Sequence, residues 1–174
     1  QFNKATAVQA RRLTLGDVRE VVHGSTVATN ALLEAKGAPA ALLTTAGFED
    51  LLLLARQDRP ELYDLCPRRP APPTPPGRAV GVAGRIAYDG QIITALAQQE
   101  IDRVVEPVAG LGVQAVAICL LHSYANDAHE QQLAHAIRAQ LPGLHLTVSS
   151  ELLPEMREYE RASTCAVNAA VGPV

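Results

Sequence analysis

The sequence has no tryptophan, two phenylalanines, four tyrosines and one methionine among 174 residues. An interior so poor in large rings must be built from Ala, Val, Leu and Ile, and it offers few platforms on which bases could stack. An excess of charge of one sign is also missing. Fifteen Lys and Arg stand against 18 Asp and Glu, a formal net charge of −3, so there is no basic footprint and nucleic acid is not an expected partner. No apolar run approaches the ~20 residues that cross a bilayer, so no membrane association is expected, and no signal peptide is visible. The three cysteines, Cys66, Cys119 and Cys165, are far apart with no Cys-x-x-Cys pair. That spacing argues against a zinc knuckle or a disulfide framework and fits the reducing cytoplasm. The five histidines fail as a ligand set. His129-Glu130 is followed by His135, which does not place two imidazoles on one helical face, and no metal site is expected. Neither a Gly-Lys-Ser/Thr phosphate loop nor a Gly-x-Ser-x-Gly elbow occurs.

What is present alternates strand with helix. Residues 18–23 read as a strand, 26–36 as a helix ended by Gly37, 40–44 as a strand and 48–55 as a short helix. A Pro-rich stretch then runs through Cys66-Pro67-Arg68-Arg69-Pro70-Ala71-Pro72-Pro73-Thr74-Pro75-Pro76-Gly77. It cannot be regular helix or central strand and predicts an extended connector. The expected organisation is a first βα lobe over 1–65, a connector over 66–79 and a second α/β lobe over 80–174. Asp89-Gly90 between Arg85–Tyr88 and Gln91–Thr94 predicts a β-hairpin with a two-residue turn. Ile101, Val104, Val105 and Val108 repeat at helical spacing, and 114–120 reads as a buried strand. Asn126 or Asp127 starts a helix carrying Leu133, Ile137 and Leu141, with Glu130 placed for a capping box with Asp127. Residues 144–148 form a further strand, and Pro154 suits the first turn of a last helix. The fold class is α/β: a mainly parallel sheet flanked by helices, with one hairpin.

The first strand-to-helix turn, His23-Gly24-Ser25-Thr26 leading to Asn30, is the main candidate site. The first N–H groups of a helix lack intrahelical partners and carry the positive end of its dipole, so an anion or polarised carbonyl is favoured there. Ser25 and Thr26 can either cap that helix or hold a ligand. A second cluster, Arg56-Gln57-Asp58-Arg59, follows a helix. Its guanidinium forks suit bidentate capture of a carboxylate or phosphate, or else solvation of a helix end. The third, from Glu151 to Arg161 and including Arg157 and Glu158, is either a solvated helix face or part of a site. His122-Ser123 ends a strand, and ligands in open parallel sheets sit beyond strand carboxyl ends.

Four ordered blocks carry a family resemblance. They are 23–37, Thr44-Thr45-Ala46-Gly47-Phe48-Glu49-Asp50 with 55–65, 117–126, and Ser149-Ser150-Glu151-Leu152-Leu153-Pro154-Glu155-Met156-Arg157-Glu158-Tyr159-Glu160-Arg161. Together they resemble the N-terminal region of the hydantoinase A and 5-oxoprolinase family. The resemblance implies an actin-like ATPase-type architecture and ATP-dependent opening of cyclic amides, or, in a carboxylase branch, activation of ketones. It implies catalytic roles for His23, Ser25 and Thr26, and substrate contacts from Gly24, Asn30, Arg56, Gln57, Arg59, His122, Arg157 and Glu158. ATP and Mg²⁺ are implied as well, held mainly by other segments, because the family's Asp-x-Gly-Gly-Thr phosphate loop does not occur in this sequence. The chain is therefore expected to be an internal piece of a longer enzyme, inactive by itself. A hydantoinase B-like subunit is the implied partner, and the competing expectation is a non-catalytic regulatory or assembly module.

Overall fold

The computed structural model describes residues 26–58, 63–65 and 71–174. In chain order the elements are α1 (Val27–Leu33), β1 (Ala40–Thr45), α2 (Leu51–Leu54), β2 (Ala79–Val82), β3 (Arg85–Ile86), β4 (Ile92–Thr94), α3 (Gln98–Gly110), β5 (Ala115–Cys119), α4 (Ala128–Gln140), β6 (His145–Val148), α5 (Ser149–Leu152) and α6 (Glu158–Val171). β2, β1, β5 and β6 form, in that order, one all-parallel sheet, and β3 pairs antiparallel with β4. The α/β architecture with one hairpin is thus the one the sequence predicts. The expected strand over 18–23 lies outside the described residues.

Both faces of the sheet are covered, which is why β1 and β5 read as near-continuous apolar runs. Alternate residues serve opposite layers. Ala41, Leu43, Val116 and Ile118 pack with Ile101, Val104, Val105 and Val108 of α3 and with Leu133 and Ile137 of α4. Burial of each such aliphatic side chain stabilises the fold by ~1.5–3 kcal/mol. On the other face Ala40, Leu42, Ala115, Ala117 and Cys119 meet Ala162, Cys165, Ala166 and Ala169 of α6. Small residues on both sides let this helix lie close to the sheet.

Several local expectations are corrected. The first helix stops at Leu33, and Ala35 rather than Gly37 adopts the left-handed conformation (φ +52°). Gly37 instead makes room for Ala170 of α6, whose Cβ and carbonyl oxygen would both lie 3.2 Å from a side-chain carbon there. The hairpin turn has three residues, Tyr88-Asp89-Gly90, closed by the Gly90 N–H to Ala87 carbonyl bond with Gly90 alone at positive φ. That is a type I turn followed by a left-handed glycine, not the expected two-residue turn. Of the two expected caps, Asn126 accepts the Ala128 N–H on Oδ1 (3.0 Å), whereas Asp127 makes no side-chain cap bond and the capping box with Glu130 does not form. Pro154 precedes α6, which starts at Glu158. In the described part of the Pro-rich stretch Thr74 is buried, so it is not wholly solvent-facing. β1, before that stretch, is hydrogen-bonded to β2 and β5 after it. The stretch therefore links neighbouring strands of a single sheet.

Candidate functional site

The carboxyl ends of β1 and β5 meet the first turn of α6, and most of the buried polar side chains among the described residues gather there. Among the described residues one carboxyl side chain, Glu130, and one guanidinium, Arg161, are wholly buried. Glu130 Oε1 accepts the Leu120 N–H (2.8 Å) and the Ser149 hydroxyl (2.7 Å), while Oε2 accepts the Ser150 N–H (2.9 Å). Ser149 in turn lies 3.2 Å from Ser123 Oγ. Arg161 donates to the carbonyl oxygens of Leu120 (2.6 Å) and Glu155 (2.8 Å), and its Nε lies 3.5 Å from Cys119 Sγ. Buried charges persist only when hydrogen-bonded in this way. Both therefore act as braces for the turn that leaves β5.

That turn carries His122. It has φ +58°, a left-handed conformation that a non-glycine residue adopts at some cost. Its Nδ1 lies 3.2 Å from Tyr124 Oη, and Leu121 N–H donates to Thr45 Oγ1 at the end of β1. Glu158 lines a small crevice with Thr44, Thr45, Phe48, Leu121 and Arg161 at the same strand ends. Burial pushes the Cys119 and Cys165 thiols up, so neither supplies a thiolate nucleophile.

Arg56 sits beside this region. It lies between two further left-handed residues, Ala55 (φ +51°) and Gln57 (φ +60°). Its Nε pairs with Glu160 Oε1 at 2.9 Å, and its guanidinium carbon lies 5.9 Å from the Tyr159 ring centroid. The Glu160 carboxyl is held below its ordinary value, first by a hydrogen bond to its own backbone and further by Arg56. Arg56 lines a groove of about 620 Å³ with Leu53, Pro72, Tyr159 and Thr164. Another groove, of about 640 Å³ between α3 and α4, is lined by Gln98, Gln131, Gln132 and His135 and lies away from this chemistry.

Of the residues expected from the sequence, Arg56, His122 and Glu158 are gathered around the start of α6. Gln57 and Arg157 are exposed beside it, Arg157 as the residue before the helix. Thr26 and Asn30 are exposed at α1, and Thr26 makes no side-chain cap bond, so its hydroxyl is not spent on the helix. His23, Gly24, Ser25 and Arg59 lie outside the described residues. Sequence reasoning missed Glu130 as a brace and left Arg161 inside a charged run. Each stands in register with its helix's apolar residues: Glu130 with Leu133, Ala134 and Ile137, and Arg161 with Cys165 and Ala169. A charge on an apolar stripe is the signal that would have singled both out. Among the described residues no three His, Cys, Asp or Glu side chains cluster to hold a metal. No helix there is long and apolar enough to cross a membrane.

A family model described as the hydantoinase/oxoprolinase N-terminal region matches residues 3–141. The caprolactamase subunit alpha of Pseudomonas jessenii is 36% identical over 164 residues, covering 92% of this chain and 23% of that protein. The 5-oxoprolinase 1 of Arabidopsis thaliana is 32% identical over 171 residues, covering 87% and 13%. The crystal structure of the ATP-dependent caprolactamase from Pseudomonas jessenii matches with a TM-score of 0.77 at 36% identity, over 86% of this chain and 22% of that one. A nucleotide-free acetone carboxylase matches with a TM-score of 0.76 at 20% identity, over 84% and 22%, a likeness of fold alone. The chain thus spans about a quarter or less of the length of these relatives.

Proposed function

The chain belongs to the hydantoinase/oxoprolinase family, and from that premise we propose that it forms part of an ATP-dependent cyclic amide hydrolase working in the cytoplasm. The observation that carries this reading is the 36% identity to a caprolactamase subunit, sustained over 92% of the chain. An unstrained amide is a poor electrophile. Transfer of the γ-phosphoryl group of ATP to its oxygen releases ADP and leaves an imidate-like phosphate. Water then adds at carbon, the ring C–N bond breaks as nitrogen takes a proton and leaves an acyl phosphate, and a second water hydrolyses that acyl phosphate to the carboxylic acid and phosphate. The protein's part is to position the carbonyl, meet charge developing on oxygen and exclude stray water.

In this reading the helix start at Ser25 and Thr26 is the electrostatic cradle, with Gly24 letting the backbone approach. His23 is a proton donor, Asn30 a hydrogen-bonding group, and Arg56 and Arg59 are the substrate clamp. Gln57, His122, Arg157 and Glu158 complete the substrate side. Backbone strain on both sides of Arg56 and at His122 supports these assignments, because strained residues collect at sites of function. No described residue is assigned to Mg²⁺, since the described side chains offer no ligand cluster. The larger assembly would have an actin-like ATPase-type architecture and a second subunit. The designation of the relative as a subunit alpha supports the latter.

The test is ATP-dependent ring opening of 5-oxoproline, hydantoin and caprolactam by the full-length enzyme, with ADP and product measured together. Stoichiometric ADP and ring-opened acid are expected. ATP-dependent carboxylation of a ketone, with no amide opened, would overturn the reading. Thr26→Val and Arg56→Met should lower turnover with the melting temperature nearly unchanged. Ordinary turnover in both would remove these residues from the site.

A further inference from the structure

We propose that Tyr124 is a positioning residue for His122. Its hydroxyl donates to Nδ1 and keeps the imidazole proton on Nε2, so His122 meets a ligand oxygen as a hydrogen-bond donor. The inference deepens the reading above, which places His122 on the substrate side, and concerns how that side chain is prepared.

The backbone of the turn is fastened residue by residue. Leu120 is held on its N–H by Glu130 and on its carbonyl by Arg161, and Leu121 by Thr45. The His122 carbonyl accepts the N–H groups of Ala125 (2.9 Å) and Asn126 (3.2 Å). Ser123 pairs with Ser149 through their hydroxyls. With the main chain fixed, the freedom left to His122 is in its side-chain torsions, and among the described residues one polar contact restrains them: Nδ1 to Tyr124 Oη at 3.2 Å. The two rings meet edge to face, with centroids 5.8 Å apart and planes at 77°.

Two arguments set the direction of that bond. A phenol O–H is a stronger donor than an imidazole N–H, and an imidazole nitrogen is a stronger acceptor than a phenol oxygen. Arg161 adds to this. Its guanidinium carbon lies 5.5 Å from the Tyr124 ring centroid, and nearby positive charge makes a phenol a better donor still. Arg161 is itself immobilised by the Leu120 and Glu155 carbonyls. One buried cation thus clamps the strand end and holds the ring that orients His122. A neutral imidazole fixed with Nε2–H outward suits an amide, phosphoryl or other partly anionic oxygen. It does not suit proton abstraction from a substrate, because its lone-pair nitrogen is already occupied.

The test uses Tyr124→Phe, which removes one oxygen and leaves the ring under Arg161. Long-range ¹H–¹⁵N spectra of the ¹⁵N-labelled chain are recorded at alkaline pH, where imidazoles are neutral, with His122 assigned by His122→Gln. Protonated Nε2 and a hydrogen-bonded, non-protonated Nδ1 are expected in the parent chain. In Tyr124→Phe the Nδ1 resonance should move downfield, and diethyl pyrocarbonate should modify His122 several-fold faster while the rate at exposed His135 stays the same. An Nδ1-protonated ring in the parent, or an unmoved Nδ1 and an unchanged rate in a folded Tyr124→Phe, overturns the proposal. Neither measurement involves turnover, so failure of the amide-hydrolase reading registers separately.

Discussion

Glu130 and Arg161 grip the two sides of one residue: the carboxylate takes the N–H of Leu120 at 2.8 Å and the guanidinium takes its carbonyl at 2.6 Å. Opposite charges in a protein interior usually answer each other. Here both answer the main chain at the point where β5 ends, so the pair acts through Leu120. Glu130 also ties in the start of α5 through Ser149 and Ser150, and Arg161 ties in the approach to α6 through Glu155. Four segments from two helical connections are thereby locked to one strand end.

Removing Glu130 would leave the buried Leu120 N–H, the partly buried Ser150 N–H and the Ser149 hydroxyl without this acceptor. Hydrogen bonds to a charged group stabilise by about 1.5–3 kcal/mol each and do not sum fully. Glu130→Ala should therefore cost about 3–5 kcal/mol, read from urea unfolding with the m-value unchanged. A loss under about 1 kcal/mol would show that the brace is not structural. Arg161→Lys should also be strongly destabilising, because an ammonium cannot reproduce a planar fork spanning two carbonyls.

How much of this was legible in the sequence depended on periodicity. The period-3.6 run Ile101, Val104, Val105, Val108 and the unbroken apolar run of β5 were readable because each leaves a pattern that solvent exposure would not tolerate. Glu130 was not readable, since Asp127 followed three residues later by a glutamate has the same spacing in a capping box and in a helix that turns the glutamate inward. Tertiary packing chose the second. Pairing of β1 with β5 was equally hidden, because strand order is a non-local property with no local signature. Arg56 and His122 stood out in sequence for their chemistry, whereas the positive φ values around them appear only in the folded backbone.

Acid should weaken the fold through His129. Its side chain is buried, with Gly84 so close that an added Cβ would lie 2.9 Å from Nδ1, and burial pushes its pKa down from the ordinary value of about 6.5. The folded state then binds fewer protons than the unfolded state below that value. Stability is accordingly complete above pH ~6.5 and declines as pH falls beneath it, with a slope approaching ~1.4 kcal/mol per pH unit. Urea midpoints measured across this range should drop in the parent chain and much less in His129→Leu. Equal slopes would assign the acid sensitivity to other groups.

Thr74 offers the opposite kind of test. The residue is 2% exposed, and its hydroxyl has no hydrogen-bond partner among the described residues. An orphaned buried hydroxyl costs free energy, and Val has nearly the same shape without the oxygen. Thr74→Val should be neutral or stabilising by up to about 1 kcal/mol. Destabilisation by that amount would reveal a partner for Oγ1, such as a bound water.

The Pro-rich stretch gives the last prediction. Cleavage within 66–79 is expected on compositional grounds, since prolines donate no ladder hydrogen bonds and resist regular structure. The division into lobes at that point predicts two independent pieces. The sheet predicts something else, because β1 lies between β2 and β5 and pairs with both through Leu42, Leu43 and Thr44. Leu42 and Leu43 are also wholly buried, in opposite layers. A nicked chain should therefore stay together as one particle, and its pieces should part only in denaturant. Limited proteolysis followed by size-exclusion chromatography and mass measurement decides between them. Co-elution of both fragments supports a single sheet across the connector, and separate elution of two folded fragments would restore the boundary at 66–79.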